Sequence, residues 1–140
     1  MKLTILNKDK LELDGFCEWF VEILKDALRD SLDAEKLKAR DEKLNNALSK
    51  TMPQTLTTEV AIKLAINNLT WKKISANKYQ ISIDDRARIY GTNNTVLEVA
   101  KYIEYGGKGL MPLFLFRPLF RDVSNDLDRF YSIYLERIGG

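Results

Sequence analysis

With no histidine and a single cysteine, Cys17, the chain has carboxylates, lysines and tyrosines for any chemistry it performs. Losing histidine removes the commonest general base and the commonest metal ligand. Zinc sites and Ser-His or Cys-His nucleophile pairs are thereby excluded. Glu104, between Tyr102 and Tyr105, is a candidate general base. Its structural alternative is to accept hydrogen bonds from backbone amides or to pair with an arginine, for which Arg117 is a possible mate. Asp84-Asp85 and the pair Asp122/Asp126, one helical turn apart, are arrangements that hold Mg2+ in some proteins but are commonplace on solvated surfaces. Gly106-Gly107-Lys108-Gly109 lacks the Gly-x-x-x-x-Gly-Lys-Ser/Thr spacing of a phosphate loop and reads as a turn. No catalytic residue, metal ligand or cofactor site emerges, and the expectation is a protein that is not an enzyme.

At 140 residues the chain is long enough for one domain, residues 1–140, burying about two thirds of its unfolded surface. A net charge of +2 forces neither a nucleic-acid nor a membrane partner. No apolar run approaches the roughly 20 residues of a membrane span, and Met1–Lys8 is too polar for a signal peptide. One cysteine rules out an internal disulfide framework, so a reducing cytoplasm is the expected place of synthesis.

Lys2–Leu6 reads as a short strand or a flexible lead. Asp14 is an N-cap candidate for a helix whose apolar residues Phe16, Trp19, Phe20, Ile23, Leu24, Ala27 and Leu28 follow i, i+3, i+4 spacing. Cys17 lies beside that stripe and reads as a small, partly buried residue. The charged stretch Ser31–Lys50 either continues this helix or starts a second near Asp33, and Met52-Pro53 ends it. Thr57 or Thr58 caps a further helix with Val60, Ala61, Leu64, Ala65 and Leu69 as its buried side. Alternation of Tyr79, Ile81 and Ile83 with polar residues marks a half-buried strand. A β-hairpin is expected across Thr70–Asp84, turning at Ala76-Asn77-Lys78, with a further short strand at Arg88-Ile89-Tyr90. Thr95 opens another helix. Pro118 suits the first turn of the last one, whose apolar residues run from Phe120 to Ile138. The expected fold class is α+β: a small antiparallel sheet packed against N-terminal and C-terminal amphipathic helices.

Between these last two helices lies the apolar tract Leu113-Phe114-Leu115-Phe116, which is either a buried strand or a docking segment. The order Ala100, Ile103-Glu104-Tyr105-Gly106, a short turn, Pro112, then Phe116-Arg117-Pro118 and a long helix resembles the tail-completion proteins of long-tailed bacteriophages. Pro53 and Thr55 stand upstream in a similar order, with Leu56 where the family often has glycine. The resemblance covers about the second half of the chain. It implies a structural virion protein of the neck that joins the head connector or adaptor to the tail tube or tail terminator. It further implies a homo-oligomeric, six-fold ring, assembled in the host cytoplasm, with a passing contact with DNA in a central channel and none with a membrane. The interface residues expected on this reading are Tyr105, Gly106, Lys108, Leu110, Met111, Pro112, Phe114 and Arg117, Gly106 and Pro112 setting the turn. The hairpin residues Lys72, Lys73 and Lys78 form a second candidate surface.

That hairpin also supports a reading of another class. Lys72, Lys73, Lys78, Arg86 and Arg88 concentrate positive charge around Trp71 and Tyr79, a pattern found in small nucleic-acid-binding or regulatory proteins. Its structural alternative is an edge whose lysines keep it from aggregating.

Overall fold

The computed structural model describes residues 1–6, 13–48, 56–89, 93–107 and 109–139. The elements are β1 (Lys2–Leu6), α1 (Leu13–Asp30), α2 (Ala34–Lys38), α3 (Asp41–Leu48), α4 (Thr58–Asn67), β2 (Leu69–Ser75), β3 (Lys78–Ile83), α5 (Val96–Tyr105), α6 (Phe116–Asn125) and α7 (Leu127–Gly139). The architecture is α+β, with one antiparallel three-stranded sheet in the order β1-β3-β2.

The expected hairpin is β2–β3, and β1 adds to its other side with Leu3 opposite Ile81 and Ile5 opposite Tyr79. Alternation sends Leu3, Ile5, Tyr79, Ile81 and Ile83 into the core, where α1 covers the sheet. Helix α1 follows its apolar spacing: Phe16, Phe20, Leu24 and Leu28 are buried, while Trp19 and Ile23 are half-buried at the edge of the stripe. Cys17 is wholly buried, and that burial, helped by the nearby Asp14 charge, pushes its thiol up to about 12.

Several expectations give way to tertiary contacts. Asp14 is not the N-cap of α1: the helix begins at Leu13, and the Asp14 carboxylate in its first turn accepts a hydrogen bond from the Tyr79 hydroxyl. The charged stretch after α1 breaks into two short helices, the first capped by Asp33, whose side chain accepts from the N–H groups of Glu35 and Lys36. Thr57 caps α4, but the buried side is Thr58, Ala61, Ile62, Ala65 and Ile66. Val60 points to solvent, because α4 is gripped by α1, α2 and α5. Arg88 and Ile89 form no strand beyond an isolated bridge from Arg88 to Thr95. Thr95 caps α5 with a reciprocal bond from Glu98, as a capping box. The last helix is interrupted at Asp126: α6 reaches β1, whereas α7 packs on α1. Pro53, Thr55 and Tyr90 lie outside the described residues.

Of the two readings of Leu113–Phe116, a buried strand or a docking segment, the strand is excluded. Leu113 and Phe114 run irregularly, Phe114 holds a left-handed φ of 55°, and Phe116 already begins α6. A positive φ breaks the extended geometry a strand needs, and Pro112 withdraws a ladder donor just before it.

The Tyr79–Asp14 contact has a measurable consequence. The hydrogen bond to Asp14, followed by burial and the Asp14 charge, pushes the phenol up to about 12. A raised folded value means that folding favours the neutral phenol. Its contribution is complete below the unfolded value of about 10 and is lost as pH climbs through about 12. An ultraviolet difference titration of wild type against Tyr79→Phe should therefore isolate one late-ionising tyrosine. A missing tyrosine that titrates near pH 10 instead would show that the contact does not hold in solution.

Candidate interaction surface

Glu104 sits at the end of α5, wholly buried at 0% exposure. Its Oε1 accepts from the backbone N–H groups of Leu115 at 2.7 Å and Phe116 at 2.8 Å. Its Oε2 accepts from the backbone N–H of Arg117 at 3.1 Å and from Arg117 Nε at 3.2 Å. A helix begins with four N–H groups that lack intrahelical partners. In α6 these belong to Leu115, Phe116, Arg117 and Pro118, and Leu115 offers no side-chain cap. Glu104 takes the first three, and proline has no N–H to satisfy. The start of α6 is thus capped from another helix by an anion, which also suits the positive end of the α6 dipole. Of the two readings of Glu104, the geometry is that of the amide-binding, arginine-paired carboxylate.

The reverse side of the junction is closed too. The Ile103 carbonyl accepts from Leu113 N–H at 3.0 Å, and the Glu104 carbonyl from Arg117 Nη2 at 3.3 Å. Between these ties the chain makes a tight excursion in which Gly107 and Leu110 exchange two backbone hydrogen bonds of 3.0 and 2.9 Å. Gly106 enters it at φ 77°, where an added Cβ would lie 2.6 Å from the Leu110 carbonyl oxygen and 3.0 Å from Pro112 Cδ. Only glycine fits that approach. The turn expected at Gly106–Gly109 is therefore present, with its ends pinned by α5 and α6.

This pinned loop turns large side chains outward. Met111 is 69% exposed, Phe114 55% and Tyr105 43%. The Arg117 guanidinium lies over the Tyr105 ring at 3.9 Å and the Phe114 ring at 4.9 Å, so the ion pair also stiffens the aromatics. Pro112 is half-buried against the turn, and Leu110 faces inward as part of the core, so it offers no surface. Lys108 lies outside the described residues. Beside Phe114 lies a cleft of about 360 Å³ with a mixed lining, Leu32, Leu115 and Leu119 together with Asp33, Lys36 and Asp122. A left-handed φ at a bulky residue costs on the order of 1–3 kcal/mol. Here the strain holds an aromatic ring in solvent.

The hairpin lysines do not join this surface, nor do all three share one face. Strand alternation divides them: Lys73 lies with Trp71 and Tyr79 on the core-facing side, its Nζ 5.7 Å from the Tyr79 ring centre. Lys72 and Lys78 stand on the opposite face of the sheet, alongside Lys2. The aromatic-interleaved basic patch expected from sequence is thus split between two faces. Three carboxylates of the acidic pairs have arginine neighbours: Asp84 binds Arg86 at 3.3 Å, Asp126 binds Arg129 at 3.5 Å and Asp122 lies 3.8 Å from Arg121. No group of three or more metal-capable side chains occurs among the described residues. Sequence inspection missed that one carboxylate caps the following helix. The signal for it is a proline at the third helical position with no capping side chain before the helix. Comparison of the chain with protein-family models, curated proteins and solved structures gives no match.

Proposed function

We propose that the chain is a structural component of a bacteriophage neck, a tail-completion subunit that takes its place in a ring between the head connector and the tail tube. The observation that carries this reading is the clamped loop. Glu104, Tyr105, Gly106, Pro112, Phe116, Arg117 and Pro118, which carry the resemblance to tail-completion proteins, are the residues that build the α5–α6 junction and its outward aromatics. Such a role asks for a preorganised contact surface and needs no bond-making chemistry at the site. Closed rings use heterologous contacts, in which one subunit's patch meets a different patch on the next. Tyr105, Met111 and Phe114, exposed beside backbone hydrogen bonds that tie α5 to the start of α6, supply one such patch. No described helix is long and apolar enough to cross a membrane.

The test is a phage whose copy of this protein carries Met111→Asp with Phe114→Asp. Both side chains are exposed, so the variant should fold, which a thermal melt of the purified chain checks. Phe116 must be left alone, since it is fully buried and a charge there would unfold the domain. Unjoined heads and tails should accumulate. Normal yields of joined, infectious particles from the double variant would remove this loop as the contact.

A further inference from the structure

The outer face of the sheet carries a second surface. Register places Lys2 opposite Ser82 and Ser82 opposite Thr70, Thr4 opposite Gln80 and Gln80 opposite Lys72, and Leu6 opposite Lys78. These residues share the side of the sheet turned away from α1. Each of the three strands thus contributes one lysine. Helix α5 adds Lys101, which with Lys2, Lys72 and Arg86 lines a cleft of about 430 Å³ over this face. Two carboxylates lie in the same cleft, Asp84 and Asp85. Asp84 is taken up by Arg86, through its backbone N–H at 2.9 Å and its Nε at 3.3 Å, which leaves three lysines against Asp85. Among the described residues, Lys2, Lys72, Lys78 and Lys101 have no ion-pair partner.

We propose that this outer sheet face binds the phosphate backbone of double-stranded DNA without reading its sequence. The outer strands are separated by two inter-strand spacings, about 10 Å. Lysines spread over such a width follow phosphates rather than a single small anion. An acidic protein partner would need desolvated aromatic anchors at the centre of the patch, and the registered positions here are Lys, Thr, Ser and Gln, with Leu6 at one end. Single-stranded nucleic acid would need exposed rings on which bases stack. The hairpin's rings, Trp71 and Tyr79, face the opposite way, and Tyr79 is buried. What remains is a positively charged sheet face whose registered positions are mainly Lys, Thr, Ser and Gln, matched to a duplex backbone.

The experiment is fluorescence anisotropy of the full chain with a labelled mixed-sequence duplex across a salt series from about 50 to 200 mM. Three or four phosphate contacts predict that log K falls with log salt at a slope of about −3. Lys72→Ala should weaken binding and flatten that slope by about 1, whereas Lys73→Ala, adjacent in sequence but on the other face, should leave the slope unchanged. Lys2→Glu with Lys72→Glu and Lys78→Glu should abolish binding while the melting transition is preserved, since all three side chains are exposed. Equal losses from Lys72→Ala and Lys73→Ala would overturn the proposal. So would absence of binding at the low-salt end, or tighter binding to a single strand of the same length, to polyglutamate or to phosphatidylserine vesicles.

Discussion

Replacing Glu104 with alanine should destabilise the domain by about 3–5 kcal/mol, out of the roughly 5–15 kcal/mol that a domain this size has. The change strands three backbone N–H groups at the start of α6, each bonded to this carboxylate at 3.1 Å or less. An unsatisfied buried donor costs about 1–3 kcal/mol, partly relieved where water can reach it. The Arg117 ion pair adds little to this sum, because the Arg117 side chain is 37% exposed and solvent screens it. A ranking follows. Glu104→Ala should be the most damaging, and Glu104→Gln intermediate, since its amide keeps an acceptor but turns an NH2 group toward the remaining donors. Arg117→Ala should be mildest, because all three backbone donors keep their partner. Urea unfolding of the three variants measures this order. An Arg117→Ala loss as large as that of Glu104→Ala would mean that the ion pair, not the cap, holds the junction. Since that junction sets the aromatic loop, the proposed neck role further expects Glu104→Gln to reduce particle joining at temperatures where the domain remains folded.

Phe16→Ala should be comparably severe, at about 3–5 kcal/mol. Phe16 is 1% exposed and joins four rings: Phe20 at 5.1 Å, Tyr131 at 5.4 Å, Tyr134 at 5.8 Å and Trp19 at 6.0 Å. Two of these belong to α7, whose one buried side chain is Tyr134, so truncating Phe16 removes two of the ring contacts that hold that helix on α1. Edge-to-face pairs contribute about 0.5–1.5 kcal/mol each beyond the area they bury. Trp19→Ala should cost less, about 1–3 kcal/mol, because its ring is half-buried at the rim of the cluster. Thermal melts of both variants, with circular dichroism to report lost helix, test the ranking. A Trp19→Ala variant less stable than Phe16→Ala would place the centre of the aromatic cluster elsewhere.

The amphipathic α1, the β2–β3 hairpin, the Thr95 cap, Thr57 as one of two candidate caps, and the α+β class were legible in the sequence. In each, the determining interactions lie within a few residues, where periods of 3.6 and 2 are decisive. Arg117 as a possible mate for Glu104 was also legible, as one of two alternatives, because a carboxylate and a guanidinium 13 residues apart flank one turn. Leu113–Phe116 reads locally as a buried strand or a docking segment and is no strand, because the carboxylate that starts α6 comes from α5, 11 to 13 residues back, and the run of apolar residues carries no sign of it. Asp14 has the composition of a cap, yet it answers to Tyr79, 65 residues away. The lysines of the hairpin read as one patch until the register of β1 and β2 against β3 assigns Lys72, Lys78 and Lys2 to one face and Lys73 to the other. Apolar periodicity is set by neighbouring residues, so the sequence by itself determined α1, α5 and the β2–β3 hairpin. Hydrogen-bond satisfaction and strand register depend on which distant groups meet, and those only the tertiary structure decided.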